Sequence, residues 1–466
     1  MNNRKKNFKI QKLCGIIVMN ELDTKRQNCE IIWSKYKQAS LIPELEQENK
    51  GIISKNRTST FVDNMQLPIH RWFRYSAGFS AEWVKEVVSD FKGNNAIKLF
   101  DPFVGSGTTV LAGEECGVLS LGIEAHPFVA RIAKAKLLWS ENVNAFRNFA
   151  MDVLQYAQSL SDAPDSYPNL IHRCYSEDIL NELDQLRRAW LYKNDDSAVS
   201  ELTWLALVGI LRVTSSAGTA PWQYVLPNKT KKGTVRPYKA FYDRIRMMSR
   251  DMLYFQSVVK ERKAKIFEDD ARACSKIEND SIDLIITSPP YTNNYDYADA
   301  TRLEMSFFGE IKGWGDLQRK VRRLLVRSCS QHASAEKNNL DRILTDKNIY
   351  PIIEDLREVC HELERERLLH GGRKTYHLMV AAYFSDLAKV WISLRRVCKK
   401  DARVCFVVGD SAPYGIYVPV DKWLGELAIS AGFESYYFEK TRDRNVKWKN
   451  RKHKVPLHEG RLWVEG

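Results

Sequence analysis

Ser288-Pro289-Pro290-Tyr291 directly follows Ile285-Ile286-Thr287, an apolar run that reads as the end of a buried strand. Two consecutive prolines have no N–H and a fixed φ, so they end the strand ladder and hold a rigid, extended loop. Carbonyls of such a loop have no partner within the sheet and can accept hydrogen bonds from a bound group. Ser288 adds a neutral acceptor and Tyr291 an aromatic face. This combination suits an amino group conjugated with a ring, whose delocalised lone pair is a poor nucleophile. Acceptors around its two hydrogens favour a tetrahedral nitrogen and turn the lone pair toward an electrophilic methyl group. Catalysis of that kind is orientation plus preorganised polar groups. A base in a duplex would first have to leave the stack, and Tyr291 offers a surface to hold it. Taken alone, the same residues are a proline-rich loop capping a strand.

The second constellation is Leu99-Phe100-Asp101-Pro102-Phe103-Val104-Gly105-Ser106-Gly107-Thr108-Thr109, where a strand runs into a helix. Ligands of open α/β sheets bind beyond the carboxyl ends of the strands. Gly105 and Gly107 let the backbone bend sharply and approach a ligand with no Cβ in the way. Asp101, at the strand tip, can pair with a cationic ammonium group. Glu124 ends the next strand, about twenty residues on, where an acid bonds ribose hydroxyls in such folds. Several cofactors carry a ribose and a dinucleotide turn looks alike, so the turn alone leaves the cofactor open.

Seven short strands position these residues: Ile97–Phe100, Val118–Ile123, Lys265–Phe267, Ile282–Ile286, Ala402–Val408, Ser435–Phe438 and Leu462–Val464. Their alternation with helices predicts a doubly wound α/β sheet, and the missing helix between the last two permits an antiparallel hairpin. The expected organisation is a polar arm over 1–60, a cofactor-binding half over 61–140, and a helical insertion over 141–262. A catalytic half spans 263–307 and 376–466, interrupted by a charged helical insertion over 308–375. Three basic stretches are candidate DNA contacts. The first is the loop Pro221 to Tyr238, with Trp222, Gln223, Tyr224, Lys229, Lys231, Lys232 and Arg236. The second is Arg319, Lys320, Arg322, Arg323 and Arg327. The third is Arg442, Arg444, Lys447, Lys449, Arg451, Lys452 and Lys454. Each also reads as plain solvated surface.

The formal charge of +13 over 466 residues suits a polyanionic partner. Nine cysteines lie singly with no C-x-x-C pair, which argues against a structural zinc site and a disulfide framework, and no metal is expected. No run approaches the ~18 apolar residues of a membrane span. The apolar stretch Cys14–Met19 is too short for a signal-peptide core, so a cytoplasmic protein is expected, with Met19 as an alternative start.

In order and kind, these motifs resemble the amino-methyltransferase family of DNA methylases, whose signatures are a [D/N/S]-P-P-[Y/F/W] tetrapeptide and an F-x-G-x-G loop. The resemblance runs from about Pro68 to the C-terminus, outside the helical insertions. It implies a Rossmann-like class I methyltransferase fold: a seven-stranded, mostly parallel sheet with an antiparallel terminal hairpin and helical insertions. It also implies S-adenosyl-L-methionine as cofactor, DNA as partner and a cognate restriction endonuclease as a candidate companion. Leu67 to Ser80, including Tyr75, resembles the segment lying over the methionine end of the cofactor. Asp101, Phe103, Gly105, Gly107 and Thr108 match the cofactor loop and Glu124 the ribose-binding acid. Within Glu268-Asp269-Asp270-Ala271-Arg272, Asp270 best matches the acid that bonds the adenine. Ser288, Pro289, Pro290 and Tyr291 match the catalytic loop.

In that family a serine at the first tetrapeptide position usually accompanies cytosine-N4, and an aspartate adenine-N6. Site-specific transfer to cytosine-N4 in duplex DNA is therefore the expectation, with adenine-N6 and RNA guanine-N2 as alternatives. A non-catalytic nucleic-acid-binding relative would show a damaged loop or tetrapeptide, and both are intact. Methylation at ring carbon five uses a cysteine nucleophile in a Pro-Cys pair, and no Pro-Cys dipeptide occurs.

Overall fold

Apolar runs of four to six residues form the middle of the sheet in a computed structural model of the chain. The structure describes residues 62–76, 78–161, 166–220, 223–261, 263–293, 296–333, 340–444 and 455–466. The 1–60 arm, Trp222 and the stretch from Lys447 to Lys454 lie outside the described residues. In chain order the strands are β1 (Lys98–Asp101), β2 (Leu119–Glu124), β3 (Ala217–Thr219), β4 (Val225–Thr230), β5 (Ala264–Glu268), β6 (Ile282–Thr287), β7 (Cys398–Gly409), β8 (Ser435–Arg444) and β9 (Leu457–Glu465). Seven of them make one sheet of order β5-β2-β1-β6-β7-β9-β8. The first five in that order run parallel, while β9 is antiparallel to both β7 and β8. This is the mixed α/β sheet with a terminal antiparallel pair expected from the sequence.

Leu99, Phe100, Leu284, Ile285 and Ile286 are all fully buried. A central parallel strand is covered on both faces, which is why these strands are continuous apolar runs rather than alternating ones. Above one face pack Trp83, Val84 and Val88 of the helix Ala81–Lys92 and Ala112 of the helix Thr108–Glu115. The opposite face is covered by the long helix Tyr376–Val397, whose Trp391 stacks on Phe406 of β7 at 4.3 Å between centroids. The helix Ile353–Leu369 buries Leu356, Cys360 and Leu363 in the same layer, so this stretch of the charged insertion is also structural.

Between β2 and β5 the helices Val143–Ser159, Glu177–Lys193, Ala198–Thr214 and Pro237–Val258 share one core with the helix Pro127–Lys136. Ala198–Thr214 is apolar around most of its circumference, as a helix surrounded by others must be. One expectation is corrected here. Part of the stretch read as a loop is strand, because β3 and β4 form a separate antiparallel hairpin. Pro227, Asn228 and Lys229 hide its strand character in the sequence. No helix among the described residues is long and apolar enough to cross a membrane.

The register matters most for function. Leu99 pairs with Leu284 and Phe100 with Ile285, so the tips of β1 and β6 end side by side. Strand β2 pairs with β5, with Glu124 opposite Glu268. Four strand ends, and the turns leaving them, are thereby gathered along one edge of the sheet.

Candidate active site

At this edge the described residues form a cleft that encloses about 630 Å³ of space, part of it open to solvent. Its walls include Tyr75, Phe103, Gly105, Glu124, Asp270, Ser288 and Pro290. Residues from five separate stretches of sequence thus meet around one space.

The glycine turn owes its shape to backbone conformation. Gly105 has φ 52° and Gly107 φ 95°, in the left-handed region where a Cβ is strained. A Cβ on Gly105 would also meet the Tyr75 ring at 3.1 Å, so that ring lies directly on the turn. At Gly107 the nearest atoms to a Cβ are an ordinary 3.8 Å away, and the residue does not line the cleft. It stands at the N-terminus of the helix Thr108–Glu115. Thr108 borders a smaller recess that Tyr75 also lines, with Ser106, His70 and Lys136.

Glu124 ties the turn together. One carboxylate oxygen accepts from Gly105 N at 3.0 Å, the other from His126 N at 2.9 Å. Burial pushes its carboxyl up to about 7 despite these bonds. Asp101 lies deeper and is not among the cleft-lining residues. It accepts from Phe103 N at 2.9 Å, Thr109 Oγ1 at 2.6 Å and Thr287 Oγ1 at 2.5 Å. Burial raises it to about 6. In this arrangement Asp101 braces the tips of β1 and β6.

Asp270 faces the cleft while holding Arg272 through both oxygens, at 2.9 and 2.7 Å. Its neighbour Asp269 is consumed in its own turn, accepting from Asp270 N, Ser275 Oγ and Lys276 N. In the tetrapeptide, Ser288 donates its hydroxyl hydrogen to Val407 O at 3.2 Å, which leaves its lone pairs for another donor. Pro289 is buried, and Tyr291 N donates to Tyr297 Oη at 3.2 Å. Burial raises the Tyr291 phenol far above its ordinary range, so it stays neutral.

Several site residues escaped the sequence reading. His126 lines the cleft, fully buried, with Nε2 2.9 Å from Thr301 Oγ1 and Nδ1 without a partner. Burial lowers it to about 3, so the ring is neutral. Tyr297 and the trio Leu324, Leu325 and Val326 close another wall. Gln223, a candidate DNA contact, turns inward: its amide donates to Arg74 O at 2.6 Å and accepts from Ser76 N at 2.5 Å, clamping the backbone on both sides of Tyr75. Asp251 fixes the same segment from below, accepting from Arg71 Nε at 3.0 Å and Trp72 Nε1 at 2.9 Å.

Of the basic run 319–327, Arg322 is buried against Asp296 and Arg327 bonds Asp386 at 2.7 Å. His332 donates from both ring nitrogens, to Val326 O and to Asp296, each at 3.0 Å, and so carries a charge. Burial opposes that charge, but Cys329 and Asp296 beside it push His332 up to about 10.

No family model matches the chain. Among curated proteins it is similar to the type II methyltransferase M.BsoBI of Geobacillus stearothermophilus, 25% identical, covering 84% of this chain and 83% of the relative. M.AvaI of Nostoc sp. is 25% identical over 84% of this chain and 87% of the relative. For M.MvaI of Kocuria varians the identity is 22%, over 82% and 86%. Together with the sheet and the cleft at its edge, these type II methyltransferase relatives support a DNA methyltransferase family for the chain.

Proposed function

We propose that the protein is a site-specific DNA methyltransferase that uses S-adenosyl-L-methionine and modifies the exocyclic N4 of cytosine. The observation carrying this reading is that Ser288 and Pro290 face the same cleft as Gly105 and Glu124. A cofactor turn and an amine-orienting loop then share one space. The residues fit the donor: Gly105 offers bare backbone, Glu124 an acceptor for ribose hydroxyls, and Asp270 an acceptor for an adenine amine. His126 Nδ1 adds a buried polar atom with no partner of its own. When bound, S-adenosyl-L-methionine supplies an electrophilic methyl group.

The chain's own contribution is orientation. Lone pairs of Ser288 and of the proline loop accept from the two amine hydrogens and pyramidalise the nitrogen. Neither group is a strong base, so the proton leaves only after the new N–C bond has made the nitrogen positive. Tyr291 provides a neutral aromatic surface for a base held out of the duplex. The formal charge of +13 favours a polyanionic partner.

The test is nucleoside mass spectrometry of DNA from cells making the protein or its Ser288→Ala variant. N4-methylcytosine only with the unaltered protein is expected. N6-methyladenine would keep the mechanism and replace the base; no methylated nucleoside would reject DNA as substrate.

A further inference from the structure

The edge strand β8 ends at Arg444, opposite Leu457 of β9, yet the Arg444 side chain does its bonding beyond β9, at the end of β7. There Nη1 donates to Asp410 O at 2.7 Å. The guanidinium carbon lies 5.4 Å from the centroid of the Tyr291 ring, within the ~6 Å over which a cation is drawn to an aromatic face. Behind it, Nε is 4.0 Å from Glu459, a buried carboxylate also paired with Arg442 at 2.8 Å.

A third observation is independent of these contacts. A Cβ on Gly409 would sit 2.7 Å from Arg444 Nη1 and 3.2 Å from its Cδ. Gly409 is not among the residues of positive φ, so its backbone does not itself require glycine. What the missing side chain leaves is a passage for the arginine on its way to Tyr291. A surface arginine held only by Glu459 would need no such passage.

We propose that Arg444 is a positioning residue: it sets the plane of the Tyr291 ring, and so fixes the surface that receives the flipped base. This rests on the role given to Tyr291 above. The arrangement divides labour within one basic stretch, since Arg444 faces the tetrapeptide while Arg442 serves Glu459.

The test measures single-turnover methyl transfer to unmethylated bacteriophage DNA, with S-adenosylhomocysteine affinity and thermal melting alongside. Arg444→Met should slow transfer about five- to thirtyfold, the range of a desolvated cation–π contact, with cofactor affinity and melting unchanged. Arg444→Lys should recover most of the rate. Gly409→Ala, which displaces the guanidinium without removing it, should reproduce the slow phenotype. In a Tyr291→Leu background, Arg444→Met should cost nothing further. An equal loss in that background would overturn the proposal, as would variants that melt early or lose cofactor instead of rate. If the unaltered protein transfers nothing to DNA, the functional reading fails and the role of Arg444 with it. If it does transfer but the losses are additive, Arg444 alone is wrong.

Discussion

With Glu124 in its proposed place against the cofactor's ribose, cofactor affinity should depend on pH. Its carboxyl, pushed up to about 7 by burial, must be ionised to accept from ribose hydroxyls while still holding Gly105 N and His126 N. If only the ionised form binds, the apparent Kd scales as 1 + 10^(pKa − pH), and affinity should rise about tenfold from pH 6 to pH 8. The sign follows from the raised value. The free fold holds a proton that an unfolded chain would release at lower pH, so Glu124 costs stability as pH climbs from its ordinary range through 7. Binding that prefers the carboxylate offsets part of this cost. Calorimetry with S-adenosylhomocysteine across pH 6–8, on the unaltered protein and Glu124→Gln, reads the effect directly. Asp101, raised to about 6, titrates in both proteins, so the difference between them isolates Glu124. A flat profile in the unaltered protein, or an equal tenfold rise in Glu124→Gln, would refute the reasoning.

Ser288→Ala and Tyr291→Ala should each cut methyl transfer about a hundredfold or more, the scale of losing a preorganised polar or orienting group, with cofactor affinity retained in calorimetry. Gly107→Ala should destabilise the protein by roughly 1–2 kcal/mol in chemical denaturation, because its φ of 95° is strained for any side chain although its surroundings have room. Gly105→Ala should in addition weaken cofactor binding, since the new methyl presses on the Tyr75 ring at 3.1 Å. Asp251→Ala strips Arg71, Trp72 and Ile69 of a shared buried acceptor and should cost on the order of 3 kcal/mol, seen as a lowered denaturation midpoint.

The strand tips were legible because their chemistry is local. Prolines end a ladder, glycines admit a turn, and an acid closes the neighbouring strand, each within a few residues of the apolar run that marks the strand. What the sequence hid is whatever depends on distant partners. His126 looks like any residue near a helix start until Thr301 is placed against its ring. Nothing in Leu324-Leu325-Val326 signals a cleft wall, and only the tertiary fold brings that trio to Asp270 and Pro290. Arg322 and Arg327 read as surface charge because Asp296 and Asp386 lie 26 and 59 residues away. Asp101 was found by position, but its bonds to Thr109 and Thr287 required knowing that β1 and β6 are neighbours.

That last pairing has a consequence for how the molecule is made. Strands β1 and β2 lie close in sequence and can join early, whereas the Asp101–Thr287 bond closes a separation of 186 residues. Contacts of such range are slow to form, because the chain must be ordered before they reward it. Until β6 emerges and docks, β1 is an open sheet edge ready to pair with the wrong strand. The glycine turn can therefore be shaped while the tetrapeptide is still unmade.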